Sequence, residues 1–202
     1  MTEFLATFIF FFAVIDPIGT VPVFLAATRG YGEKEKRSIA VRATVVAAGI
    51  LVFFVVAGEP LLLAMDIPLA AFEVAGGLVL LLFALTMIFG ESKPEEEVKL
   101  AEAARETAIF PLAVPSIAGP GAMLAAVLQT ENERFGFTQQ AQTTAVMLLV
   151  LAIAMALMLA SSRVHRWIGD SGASVISRVM GMILAAVAVE SMLGGVRSYF
   201  GL

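Results

Sequence analysis

The sequence predicts an all-α integral membrane protein with six transmembrane helices, arranged as a 3+3 inverted repeat in which helices 1 and 4 are discontinuous. Three observations predict it. The 202 residues are 59% hydrophobic and only 15% charged, whereas a soluble domain carries about 25% charged residues. Six apolar runs follow one another, each of about 20 residues and so long enough for a hydrocarbon core of roughly 30 Å. Two of these runs, half a chain apart, are interrupted by proline and glycine at matching spacing.

Composition also excludes several classes of function. The chain has no cysteine, hence no disulfide framework, zinc-thiolate site or thiol nucleophile. Its ten methionines have no metal-like spacing and read as apolar filler. No metal and no cofactor is implied. A net charge of −4 without a basic cluster argues against nucleic acid. No Lys or Arg precedes the first apolar run, so that run reads as a retained span rather than a cleaved signal peptide.

Span 1 covers residues 4–28 and contains Asp16-Pro-Ile-Gly-Thr-Val-Pro22. Proline in a helix interior costs roughly 3 kcal/mol, and a carboxylate at mid-membrane roughly 2.5–3.5 kcal/mol. Both are tolerated if the helix breaks there and its loose backbone faces protein or a water-filled cavity. Span 2, residues 38–58, opens at Ser38 and ends at Gly58-Glu59-Pro60. Span 3 is residues 69–89. Span 4, residues 108–129, holds Pro111-Leu-Ala-Val-Pro-Ser-Ile-Ala-Gly-Pro-Gly-Ala122, where Pro115 and Pro120 repeat the spacing of Pro17 and Pro22. Spans 5 and 6 are residues 141–161 and 174–196.

Eleven of the thirteen basic residues fall in or beside the 1–2, 3–4 and 5–6 loops, and only Arg134 and Arg197 fall on the other side. The positive-inside rule places those three loops in the cytoplasm and both termini outside. With three crossings per half, residues 1–90 and 108–202 form repeats of opposite orientation. They are joined by a polar cytoplasmic linker, 91–107, whose Ser92-x-x-Glu95 resembles a capping box and predicts a short helix.

Paired, interrupted spans are the best sequence pointer to a transporter site. Half-helix amides at the breaks carry partial positive charge, and Gly19, Gly119 and Gly121 would let a ligand approach the backbone. Pro17, Thr20, Pro115, Ser116 and Pro120 complete the expected substrate site. Its one formal charge, Asp16, suits a small zwitterion: amides for the carboxylate, carbonyls and Asp16 for the ammonium. A carboxyl in such a place can bind and release a proton as its surroundings change, so Asp16 is the first candidate for coupling. Glu73 and Glu190 lie inside spans 3 and 6 and are the other two. Arg42 and Arg178 are expected to snorkel to the inner surface. Glu73 and Arg178 are expected at opposite ends of their spans and not to pair. Gly169-Asp-Ser-Gly172, preceded by His165, imitates a hydrolase nucleophile motif, but base and nucleophile share one short cytoplasmic loop, which does not suit a triad. The chain is not expected to be an enzyme.

The two proline motifs, with Ala75-Gly-Gly77 in span 3 and Arg178-Val-Met-Gly181 in span 6, resemble those of the MarC family of bacterial and archaeal inner-membrane proteins, associated with the LysE transporter superfamily. The resemblance covers essentially the whole chain. It implies six spans, an inner-membrane location, and transport of small neutral amino acids such as glycine and alanine coupled to protons. Glu73 and Glu190 read as departures from the family pattern; an extra carboxylate there could take a proton or sodium. Export of other small solutes or drugs, and a non-transporting scaffold, are the alternative readings. Monomer and homo-oligomer are both open.

Overall fold

Lipid offers the backbone no hydrogen bonds, so a chain this apolar must satisfy its amides and carbonyls within each segment. The computed structural model describes residues 2–89, 108–132 and 135–201, and these are helical apart from short turns. The elements are α1 (Thr2–Ile15), α2 (Thr20–Ala27), α3 (Glu33–Ala64), α4 (Leu69–Phe89), the irregular π-type helix α5 (Ala108–Ile117), α6 (Pro120–Leu128), α7 (Phe137–Leu159) and α8 (Ser161–Phe200). Five stretches are long and apolar enough to cross a membrane: Phe4–Ala27, Glu33–Ala64, Leu69–Phe89, Phe137–Leu159 and Ser171–Phe200. The pair α5–α6, bent by 54°, makes a sixth.

The first crossing is the central one. Of its most apolar stretch 72% is buried, against 22–33% for the other four. Phe11 and Ile15 of α1 and Phe24 of α2 are buried with Leu51 of α3, Leu112 and Ile117 of α5 and Met147 and Leu151 of α7. The outer faces of α3, α4, α7 and α8 leave side chains such as Phe53, Leu82, Leu149 and Leu193 exposed, as suits helices whose other face meets lipid.

The seam between α4 and α8 shows why small residues recur in these spans. A Cβ on Gly195 would lie 2.8 Å from the Ala70 carbonyl oxygen, one on Gly77 2.8 Å from that of Ala188, and one on Gly181 3.2 Å from that of Ala84. Ala70, Gly77 and Ala84 thus face Gly195, Ala188 and Gly181 along two antiparallel helices, with a small residue every seven on each. That period keeps one stripe of each helix on its partner over the full crossing and lets the backbones approach closely.

Several expected boundaries move. The second span does not end at Gly58-Glu59-Pro60: α3 runs through Pro60 to Ala64. Pro60 lies on the exposed side, where losing one hydrogen bond is tolerated, while Gly58 lies against the Val127 side chain of α6. Buried Glu59 accepts a 2.6 Å hydrogen bond from the Asn132 amide. The stretch between spans 5 and 6 is not a loop either. α8 starts at Ser161, directly after α7, and is interrupted at Gly169, whose φ of +66° and ψ of 174° suit glycine alone. His165 therefore stands on a helix and the Gly169–Gly172 motif at a kink. Arg178 donates to the Ile88 carbonyl at 3.5 Å, near the end of α4, while Glu73 lies beside Gly194; the two are not partners. The expected linker helix in residues 91–107 lies outside the described residues.

The glycine seam makes a direct prediction. Gly195→Ala and Gly77→Ala place a methyl against backbone and should each destabilise the detergent-solubilised protein by about 1–3 kcal/mol. Gly49→Ala, where a Cβ meets nothing within 4 Å, should cost nothing. Thermal unfolding midpoints of the three variants check this.

Candidate functional site: the junction of the two broken crossings

The break in the first crossing is built by Asp16. Its backbone adopts φ +49°, a left-handed conformation that Asp tolerates better than most residues. This turns the chain out of α1, and the carboxylate then caps the start of α2: Oδ1 accepts the Gly19 amide at 3.0 Å. The Asp16 carbonyl accepts from the Thr20 amide at 3.1 Å and from the Thr20 hydroxyl at 3.0 Å. The amides at the head of α2 are thus met by the chain's own aspartate. Glycine is required at 19 because a Cβ there would collide with the Asp16 carboxylate and lie 2.7 Å from the Ser177 hydroxyl.

The second break is shaped differently. Phe110 (φ −122°, ψ 127°) and Val114 (φ −135°, ψ 126°) are extended within α5, each directly before a proline, as the clash between proline and its predecessor favours. Gly119 (φ −77°, ψ 168°) then precedes α6, which has Pro120 at its first position, where the missing amide costs nothing. Pro115 folds back over Gly119, its carbonyl 2.8 Å from where a Cβ would sit, and Gly121 is closed over by Leu80, Val14 and Phe83.

The two breaks touch. The Ser116 hydroxyl of α5 donates to Thr20 Oγ1 at 3.4 Å, and the Thr20 hydroxyl in turn donates to the Asp16 carbonyl. From the far side the Ser177 hydroxyl of α8 donates to Asp16 Oδ2 at 2.5 Å. Asp16, Thr20, Ser116 and Ser177 are all 0% exposed, so this four-residue polar cluster is closed to solvent on every side. Asp16 lies midway along Phe4–Ala27. Its carboxylate accepts one amide and one hydroxyl and has no cationic partner among the described residues.

The expected site residues of both breaks, Pro17, Gly19 and Thr20 on one side and Pro115, Ser116, Gly119, Pro120 and Gly121 on the other, therefore lie at or beside one junction. The outer acids do not join it. Glu73 lies against Gly194, seventeen residues beyond Ser177 on α8, or about 25 Å. Glu190 is exposed and about 20 Å along the same helix. Ser177 was not singled out from sequence. Its signal is positional: it continues the buried stripe Ala173, Gly181, Leu184 and Ala188, so its hydroxyl had to face the bundle.

Open volume lies toward the helix ends. One cavity of about 590 Å3 is bounded by Thr7 of α1, Gln129 after α6, and Gln139, Gln142 and Thr143 of α7. Its polar groups are amides and hydroxyls without formal charge. Thr7 precedes Asp16 by nine residues, about 13 Å along the helix.

Ser177→Ala should leave Asp16 Oδ2 buried without its donor and destabilise the protein by about 1–3 kcal/mol. Asp16→Asn keeps an oxygen for the Gly19 amide and should remain folded. Thermal unfolding of both variants in detergent checks the pair.

Three comparisons bear on this architecture. The family described as MarC family integral membrane protein matches residues 1–200. A UPF0056 membrane protein of Methanocaldococcus jannaschii is 35% identical over 198 residues, 96% of each chain. One from Aquifex aeolicus is 31% identical over 199 residues, 96% of this chain and 92% of its own. The UPF0056 inner membrane protein YhgN of Escherichia coli is 28% identical over 199 residues, 98% of each chain. No solved structure matches the chain.

Proposed function

This chain belongs to the MarC family of integral membrane proteins, and from that premise we propose that it is a secondary transporter of small neutral amino acids such as glycine and alanine. Transport is coupled to protons and proceeds by alternating access around the junction of the two broken crossings. The proposal places it in the inner membrane, the location carried in the name of its Escherichia coli relative, with both termini outside. The first three crossings and the last three act as an inverted repeat about the junction.

The observation that carries the reading is Asp16. A carboxylate removed from water is very unfavourable unless it is neutralised or paired. Here it is fully buried at mid-crossing and meets an amide and a hydroxyl but no cation among the described residues. Two things can balance it: a proton, or the ammonium group of a zwitterion. A transporter that exchanges one for the other needs a group of this kind where its two broken crossings meet.

The closed junction corresponds to the occluded step of such a cycle. The uncharged cavity beside Thr7, Gln139 and Thr143 is the outer vestibule: amides and hydroxyls can solvate a zwitterion without trapping it. Its volume falls within the range usual for small-molecule sites, with room for a solute of this size and its water. Coupling is assigned to Asp16, since Glu73 and Glu190 stand apart from the junction.

Uptake into proteoliposomes tests the proposal. Wild type should accumulate glycine or alanine when a pH gradient is imposed. Asp16→Asn should lose gradient-driven accumulation entirely. Undiminished accumulation by the variant would remove Asp16 from the mechanism. Absence of uptake by wild type, together with no thermal stabilisation by millimolar glycine or alanine, would remove the substrate class.

A further inference from the structure

A second cavity, of about 410 Å3, opens where the first turn of α3 meets the junction of α7 and α8. Its polar lining is Glu33, Lys34, Lys36, Arg37, Ser161 and Ser162. Three cations thus face one carboxylate, and that carboxylate is committed: Glu33 pairs with Lys36 at 3.2 Å. The neighbouring acid, Glu35, is also used, accepting the Gly32 amide at 2.9 Å to cap α3. Lys34 and Arg37 are left with no ion pair or hydrogen bond among the described residues. Both sit at the amide end of a 32-residue helix, where cations are disfavoured by the helix dipole.

Deeper in the same cavity is Ser161, 5% exposed, whose hydroxyl likewise has no partner among the described residues. A buried hydroxyl without a hydrogen bond costs about 1–3 kcal/mol, so this one is waiting for an acceptor. The positive-inside rule alone accounts for cations at this end of the bundle. It does not account for a donor buried behind them.

We propose that this cavity binds a phosphate group, with Lys34 and Arg37 neutralising its charge and the Ser161 hydroxyl donating to one of its oxygens. Arg37 offers a planar fork and Lys34 a mobile point charge, and the two together suit a compact oxyanion. The phosphate can belong to an anionic lipid headgroup or be free in solution. A lipid is well accommodated. Leu159 is 47% exposed and shared with an adjoining cavity, which Ala156 and Ala160 line together with Glu33, Ser162 and Arg163, so an acyl chain can lie along the last turn of α7 beside a third cation. The inference goes beyond the transport reading, and its readout is binding, so it fails independently of that reading.

The test uses the purified full chain, delipidated in a neutral detergent at fixed ionic strength. Saturating short-chain phosphatidylglycerol should raise the unfolding midpoint by at least about 4 °C, and phosphatidylcholine should not. Inorganic phosphate that reproduces the rise marks free phosphate as the source; a rise with phosphatidylglycerol alone marks the lipid. Lys34→Gln combined with Arg37→Gln should abolish the response and Ser161→Ala should reduce it, while Arg42→Gln, outside the cavity, should leave it intact. No rise with either phosphate probe, or an undiminished rise in the double variant, overturns the proposal. If the double variant does not fold, native mass spectrometry decides. With each probe supplied in turn, wild type should retain one phosphatidylglycerol or one inorganic phosphate per chain and Ser161→Ala less, and equal retention of both probes by the two proteins overturns the site.

Discussion

A hydrogen-bonding group inside a bilayer has nowhere to turn but the protein, and this fold is arranged around two places where the chain creates such groups deliberately. Breaking a crossing frees amides and carbonyls at mid-depth, each costing on the order of kcal/mol if left alone. Asp16 meets part of that cost for the first break, since its carboxylate caps the Gly19 amide and its carbonyl takes both the amide and the hydroxyl of Thr20. Doing so introduces a larger liability, a buried acid. The Ser177 hydroxyl answers part of it, while Ser116 of the second break donates to Thr20, whose hydroxyl meets the Asp16 carbonyl and not its carboxylate. The burial of the first crossing is a consequence: only a segment surrounded by the others can have its polar interruption serviced from two sides.

The remainder of the bundle divides into a mechanical seam and a polar centre. Along α4 and α8, glycine and alanine face each other at intervals of seven residues, with carbonyls of one helix at van der Waals distance from the other. A seam of that kind holds by contact rather than by hydrogen bonds, and it tolerates little relative displacement. α8 carries Ser177 on the same buried stripe as Gly181 and Ala188. The donor to Asp16 is therefore mounted on the most extensively packed pair of helices, while Asp16 sits at the break between α1 and the short α2. Any motion that opens the junction is more easily taken up by the broken elements than by the seam.

The same physics decides which features were legible in the sequence and which were not. Pro17 and Pro115 announced the breaks because each violates helix geometry where an apolar run leaves no other explanation. Pro60 is the same residue type and announced nothing true: on an exposed face one missing amide is absorbed, and α3 continues past it. Turn chemistry in the first part of α8 was equally misleading, since Gly169 and Gly172 suggested a loop where only Gly169 leaves the helix. Ser177 was illegible for a subtler reason. Hydroxyls in these helices usually bond to the carbonyl four residues back, as Thr28, Thr44, Thr130 and Thr144 do. Such bonds are local and carry no message about function. Ser177 differs only because a residue 161 positions away stands opposite it, and nothing in a single sequence states that. Glu73 and Glu190 show the limit of position within a span: Glu73 stands in the first turns of α4 and Glu190 thirteen residues beyond Ser177 on α8, so both lie away from the junction although both fall within apolar runs.

The proposed transport cycle requires Asp16 to hold a broken crossing together and still change its charge. Its two oxygens have separate duties. Oδ1 receives the Gly19 amide, a donor that cannot reverse, so that oxygen must remain an acceptor in every state. Oδ2 faces Ser177, whose hydroxyl is both donor and acceptor. A proton arriving at Oδ2 therefore need not break the contact: the carboxyl becomes the donor, and the serine turns to accept. The helix cap survives protonation, and only the polarity of the bond to α8 inverts. That inversion frees the Ser177 proton for a new acceptor at the moment the carboxylate stops attracting an ammonium group. A lysine or arginine in place of Ser177 could not do this, because a fixed cation would neutralise Asp16 in one state and repel the substrate's ammonium in all of them. In the proposed transport cycle, a small neutral hydroxyl opposite a capping aspartate is the arrangement that leaves the charge of the junction free to change while its backbone stays satisfied.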